Sequence, residues 1–250
     1  MEPLSDLHQG DEDGGLPQLK AIAIVCGALA FAAGSAMTPG FDGFDPAAFP
    51  HTVENLLLTP AGYAFAIWGP IFIALILNAF YGLIKRDTNP VWDHARWPLF
   101  GAQVLGAAWI GIATLSPPMA TLVIWVMLIL TLISLNRVLS SPEIWWLKVP
   151  LGLLAGWLTA ASWVALTTTA VGWIEGLSPS VGSWIGLAGA LITALAVLRL
   201  QRQPAYAVAA IWALIGIIVA NLGGNTAFVA ATGAGAALLT WEAVRAYRAA

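Results

Sequence analysis

TPAGYAFAIWGPIFIALILNAFYGLIKR, residues 59–86, decides the fold class. From Pro60 to Ile84 it carries no charged side chain. A helix rises about 1.5 Å per residue, so about 20 apolar residues cross the hydrocarbon core of a bilayer. This stretch is long enough, and its 60–84 segment reads as a transmembrane helix. Working outward, seven more stretches have the same character: 18–38, 96–115, 118–139, 148–172, 181–200, 203–222 and 225–247. The expected fold is all-α, a polytopic transmembrane helical bundle of about eight spans.

Breaks between the spans have physical causes. Thr38-Pro39-Gly40 ends the first, because proline cannot continue a helix and glycine permits the turn. Asn89-Pro90, Ser141-Pro142, Ser178-Pro179 and Gln203-Pro204 mark later loops. Ser116-Pro117-Pro118 makes a very tight one, with Pro118 suited to a helix start. Gly223-Gly224 separates the last two spans so closely that this pair also reads as a re-entrant hairpin.

Charge placement tests the division. The odd-numbered loops, near Asp42, after Ser116, near Glu175 and at Gly223, hold no Lys or Arg. All ten basic residues fall on the other side: Lys20, Lys85, Arg86, Arg96, Arg137, Lys148, Arg199, Arg202, Arg245 and Arg248. Basic loops are retained in the cytoplasm. An even number of spans with both termini cytoplasmic follows, in an integral membrane protein expected in the bacterial inner (plasma) membrane.

Composition agrees. Apolar residues are 59% of the chain and charged residues 9%, far below the roughly one quarter of a soluble domain. Lipid is therefore the expected partner of most of the surface. The ten basic residues form no phosphate-binding patch, which argues against nucleic acid. Cys26, the only cysteine, excludes an internal disulfide and multi-cysteine metal sites. Residues 1–17 are acidic and lack the basic start of a signal peptide, so a disordered cytoplasmic tail is expected.

No Asp, Glu, Lys, Arg or His lies near the middle of any span, and no HExxH, serine–histidine elbow or glycine-rich phosphate loop occurs. The chain is therefore not expected to be an enzyme, and proton-coupled transport loses support. What lies at depth is aromatic, small or amide-bearing. Phe65, Trp68 and Phe72 share a helix face at i, i+3, i+7. Pro70, inside the span, should kink it or open its backbone ladder. Trp157, Ala161 and Ala165 share a face of the fifth span. A small residue beside tryptophan leaves room for a flat ligand or for a neighbouring helix. Gly152/Gly156 and Gly182/Gly186, both GxxxG pairs, favour the second. Trp92, Trp97, Trp145, Trp146, Trp173, Trp184 and Trp241 sit near span ends and read as interfacial anchors. Asn78 and Gln103 need partners in lipid, either across helices or on a ligand. The loop Phe41 to Leu58, with Phe44, Phe49 and His51, is long enough to fold back as a lid.

Residues 59–72 resemble the second-helix signature of the tryptophan-rich sensory protein family, TspO and its mitochondrial relative the translocator protein or peripheral-type benzodiazepine receptor. Pro60, Tyr63, Phe65, Trp68, Ile71 and Phe72 occupy the signature positions. Gln103 and Trp109 are similar to a glutamine and tryptophan of the family's third helix. Gly156-Trp157-Leu158-Thr159-Ala160-Ala161 is similar to its fifth. The chain departs from the compact members in three places. Phe65 and Trp68 are one residue closer, Tyr63 stands where they carry tryptophan, and Ala165 stands where they carry asparagine.

The resemblance covers roughly 18–172, the expected five-helix TspO-like bundle, followed by three additional transmembrane helices over 173–250. It implies a pocket under the first loop for tetrapyrroles such as protoporphyrin and haem, sterols or synthetic aromatics. Trp68 and Trp157 would line it, with Tyr63, Phe65 and Phe72 beside them, and Gln103, Trp109 and Ala161 as further ligand-binding candidates. Catalytic and metal residues are not expected. No cofactor is obligatory, since no residue must ligate iron, and a tetrapyrrole would be held as a ligand. The implied function is sensory or regulatory, read out through a homodimer or a partner membrane protein. The rivals are a transporter of an apolar or amphipathic solute and a structural or assembly subunit of a larger membrane complex.

Overall fold

A computed structural model describes residues 9–37 and 43–248 of the chain. Thr38-Pro39-Gly40, the first two lid residues and residues 1–8 of the expected tail lie outside the described residues. Eight α-helices occur among those described: α1 Gln9–Ala36, α2 Trp68–Lys85, α3 Pro90–Leu115, α4 Pro117–Arg137, α5 Val149–Trp173, α6 Pro179–Gln201, α7 Pro204–Ala220 and α8 Thr226–Arg248. No strand is present among them, and the chain forms the all-α polytopic membrane bundle its sequence implies. Large apolar side chains such as Ile73, Leu122, Ile129, Ile192 and Val208 point outward, as a lipid-facing surface requires.

The X-Pro pairs are helix starts with capping chemistry. Asn89 accepts hydrogen bonds from the backbone N–H of Val91 and Trp92, with Pro90 in the first helical position. Ser116 caps α4 through Met119, and Ser178 caps α6 through Val181. The cap oxygen satisfies donors that the first turn leaves open, where proline's missing N–H costs nothing. α4 thus starts at Pro117, one residue before the expected Pro118. α3 starts at Pro90, six residues ahead of the expected boundary, because Asn89 supplies the cap. α1 starts at Gln9, so helix runs into the segment expected as a disordered tail. Its early part is held on α3 through Lys20 to Asp93 (2.6 Å), and by Arg96 donating to the Pro17 carbonyl (3.0 Å).

Two irregular segments replace regular helix. Residues Gly62–Ile67 form 3-10 turns before α2 begins at Trp68. Pro70 therefore sits in the first turn of α2, where no ladder bond is lost, and the change of helix type precedes it. A π-helical turn, Ile144–Lys148, leads into α5.

Seven of the helices, counting each with its leading turn, reach the length and hydropathy of a membrane span. α7 is shorter, and one face of it is buried against protein through Tyr206, Ala207, Ala209, Ala213 and Ile217, while Val208 and Ile215 stay exposed. Its neighbours are α5, α8 and the 62–67 turns. α5 is the centre of the bundle and packs on α4, α6 and α7. Both GxxxG pairs act as packing surfaces. Gly156 lies against the Tyr206 carbonyl of α7, and Gly186 against Thr167 of α5 and Leu58 of the lid.

The basic residues gather at one end. Arg86 pairs with Glu143, Arg199 and Arg245 pair with Glu242, and Arg137 donates to the His94 carbonyl. Gln18 donates to Asp87 (3.1 Å), which holds that carboxyl below the usual carboxylate range. Trp92, expected as an interfacial anchor, is buried here and donates to Glu143 (3.2 Å). Trp97, Trp145, Trp173 and Trp241 are exposed, as anchors would be.

Candidate functional site

At the other end the lid segment closes over the helices. Asp45 caps a short 3-10 turn, Pro46–Ala48, by accepting from the Ala47 N–H. Phe49 then lies against Gly172 of α5, where a side chain on that glycine would collide with the ring. The His51 N–H donates to the Gly172 carbonyl (3.1 Å). Further on, Leu57 offers its carbonyl to the Asn221 amide at the end of α7 (2.8 Å), and Leu58 is fully buried. Between these two anchors Val53, Asn55 and Leu56 span a cavity, with Asn55 in the left-handed region at φ 55°, a conformation asparagine tolerates.

That cavity measures about 420 Å³. Its roof is Phe44, Val53, Asn55, Leu56 and Thr59. Its walls come from Phe65 before α2, Trp109 of α3 and Ile124 of α4. The successive faces of α5 (Trp157, Ala160, Ala161, Val164, Ala165, Thr168) and Ala213 and Ile217 of α7 complete them. A second chamber of about 350 Å³ adjoins it and shares Phe65, Trp109 and Ile124 as lining. Phe31 of α1, Trp68 and Phe72 of α2, Met127 of α4 and Leu158 of α5 enclose that one.

The aromatic side chains form a connected cluster. Trp68 stacks on Phe72 with ring centroids 5.2 Å apart and planes 14° apart. Trp157 meets Phe65 at 5.8 Å and Trp68 at 6.1 Å, edge to face in both cases. Phe31 packs edge-on against Trp68 and Phe72. Phe44 of the lid reaches Trp109 at 6.3 Å. The Trp109 N–H donates to the Ala120 carbonyl (2.9 Å). The Trp157 N–H is buried and makes no hydrogen bond within the protein.

The sequence-derived candidates fall into three groups. Phe65, Trp109, Trp157 and Ala161 line the larger cavity, and Trp68 and Phe72 line the second chamber. Tyr63 turns away from both, half-exposed, and packs edge-to-face on Trp212 of α7 at 5.7 Å. Gln103 of α3 faces Gly27 of α1, fully buried with neither amide atom hydrogen-bonded, and lines neither cavity. Asn78 has an inter-segment partner, the Trp146 carbonyl (2.6 Å).

The lid was expected over the pocket but its residues were not among the ligand-binding candidates, and α7 was not expected to contribute at all. Ala213 and Ile217 of α7 carry no local pattern that tells which helix they meet, and they line the cavity beside α5. Gly216 of α7 faces Pro60 and Ala64 at the start of the second span. The Ala61 N–H donates to the Gly216 carbonyl (3.0 Å), and the Trp212 N–H to the Ala64 carbonyl (2.8 Å). α7 is thus part of the cavity wall, and α6 and the end of α7 hold the lid.

No acid–base pair, and no group of three or more metal-ligating side chains, occurs in this site among the described residues. What the arrangement can do is hold a flat apolar molecule between aromatic rings. Neither a curated protein nor a solved structure matches the chain. The family model for TSPO-like protein matches residues 19–244, from α1 through most of α8 and beyond the 18–172 stretch that carries the sequence motifs. The chain belongs to the TSPO-like protein family.

Proposed function

We propose that this membrane protein is a sensor or regulator that binds tetrapyrroles, or similar flat apolar aromatic molecules, in the lidded cavity, without catalytic turnover. The observation that carries the reading is the cavity of about 420 Å³ walled by Phe44, Phe65, Trp109 and Trp157 and floored by alanines of α5. Small-molecule pockets of this kind span about 300–1,000 Å³ and are mostly apolar with few polar groups. The free Trp157 N–H offers one donor to a ligand acceptor. No cofactor is needed for this role. Binding would shift the lid and the helices anchored to it, a change that a homodimer or a partner membrane protein can read. The membrane would be the bacterial inner membrane, with both termini cytoplasmic, as the one-sided placement of Lys and Arg supports.

Quenching of tryptophan fluorescence by a porphyrin, in detergent or nanodiscs, tests the pocket. Trp157→Ala should weaken the quenching affinity about tenfold or more, and Trp68→Ala by less, since stacking and burial of such a ring contribute about 1–3 kcal/mol. Equal affinity in wild type and both variants would remove the cavity from consideration.

A further inference from the structure

The charge around the cavity narrows what it takes. The basic residue on or next to each lining helix is remote. From Lys148, at the foot of α5, to Trp157 is roughly 13 Å at about 1.5 Å per residue; α7 itself holds no Lys or Arg, and from its start at Pro204, beyond Arg202, to Ala213 is about 13 Å. Arg96 to Trp109 on α3 and Arg137 to Ile124 on α4 are each about 20 Å. Two of these side chains are also engaged: Arg96 by backbone carbonyls and Asp93, Arg137 by the His94 carbonyl. No Lys or Arg lines either chamber. At the lid end the exposed charged groups are acidic, Asp45, Glu54 and Glu175, and His51 is the single titratable base there among the described residues.

A carboxylate taken from water into an apolar site needs a cation or several donors, and a site of this size offers one free indole N–H and the side chains of Asn55, Thr59 and Thr168. A carboxylate left at the mouth would instead face Glu54 and its acidic neighbours. Recognition of carboxylates and phosphates elsewhere rests on Arg guanidinium forks and Lys ammonium groups, which are absent from this lining. Resting on the pocket reading above, we infer that the cavity selects flat apolar ligands without net negative charge, and discriminates against the dicarboxylate form of the porphyrin skeleton in favour of uncharged molecules of the same shape.

The test is a comparison of protoporphyrin IX with its dimethyl ester at pH 8, by tryptophan quenching on the full chain in nanodiscs. Ala161→Phe, which fills the cavity, is used to subtract partition into lipid. The ester should bind at least about tenfold tighter than the free acid after that subtraction. Val53→Arg places a cation on the roof and should tighten the free acid while leaving the ester unchanged; Val53→Met controls for size. A free acid that binds as tightly as the ester, or tighter, overturns the charge selection and leaves the pocket standing. Quenching by both ligands that is indifferent to Ala161→Phe, with the variant folded by circular dichroism, overturns the pocket and the selection together.

Discussion

Arg96 closes the basic end of the bundle. Its guanidinium is buried and donates to four backbone carbonyls: Pro17 of α1 (3.0 Å), Arg86 (2.7 Å) and Gly82 (3.4 Å) at the end of α2, and Asp87 in the following turn (2.6 Å). The last carbonyls of a helix have no partner within it, so one side chain caps α2 and ties α1 and α3 to it. Arg96→Met keeps most of the length and removes every donor. The expected cost is about 3 kcal/mol or more, from several buried acceptors left open at once. Thermal unfolding in detergent should report it as a clear fall in midpoint. A change within error would mean that water replaces the side chain. In the sequence Arg96 was legible only as a loop cation, because nothing local says that α3 begins six residues before it. Where one helix face sufficed, residue-scale reading grouped Trp157, Ala161 and Ala165, and all three line the same cavity. It could not place Tyr63, whose direction depends on the 3-10 geometry of Gly62–Ile67 and on Trp212, 149 positions later in the chain.

Helix contacts are set by glycines whose cost depends on what faces them. Gly156 of α5 lies directly on the Tyr206 carbonyl of α7, with Ala209 beside it, so a Cβ there has backbone in its place. Gly111 of α3 faces open space. Gly156→Ala should push α5 and α7 apart and cost about 1–3 kcal/mol, the usual range for overpacking. Gly111→Ala should be neutral or stabilise by up to about 1 kcal/mol, since alanine restricts the unfolded chain and favours helix. The two thermal midpoints therefore move apart for the same chemical change. Equal shifts would show that α5 and α7 are not in this close packing. At this scale the sequence revealed which positions must be small, through GxxxG spacing, but not their partners. The ends of helices were legible where X-Pro pairs carried them. The π-helical Ile144–Lys148 turn had no such signal, since its geometry follows from docking Trp146 on Tyr81 (4.8 Å) and Asn78.

The whole molecule is organised as two unlike ends joined by a bundle. Ion pairs and carbonyl caps knit one end, involving α1, α2, α3, α4, α6 and α8. The lid, fixed at Gly172 and Asn221, covers the other. This division was legible because lipid forbids charge in the middle, so each crossing must alternate ends and every basic residue reports its own end. The closing of the cavity by α7 was not legible, since it depends on contacts between residues some 150 positions apart. In a bilayer the two ends must face opposite compartments. A chain carrying Cys26→Ala and a single new thiol tests this. Thr88→Cys, exposed in the turn between α2 and α3, and Glu54→Cys, exposed on the lid, mark the two ends. In sealed right-side-out vesicles a membrane-impermeant maleimide should label Glu54→Cys within minutes and Thr88→Cys only after permeabilisation. Inverted vesicles should reverse the order, because the basic end is drawn to the cytoplasmic side. Labelling of both thiols from the same side would contradict the odd number of crossings between lid and turn, and with it the placement of the cavity opposite the basic end.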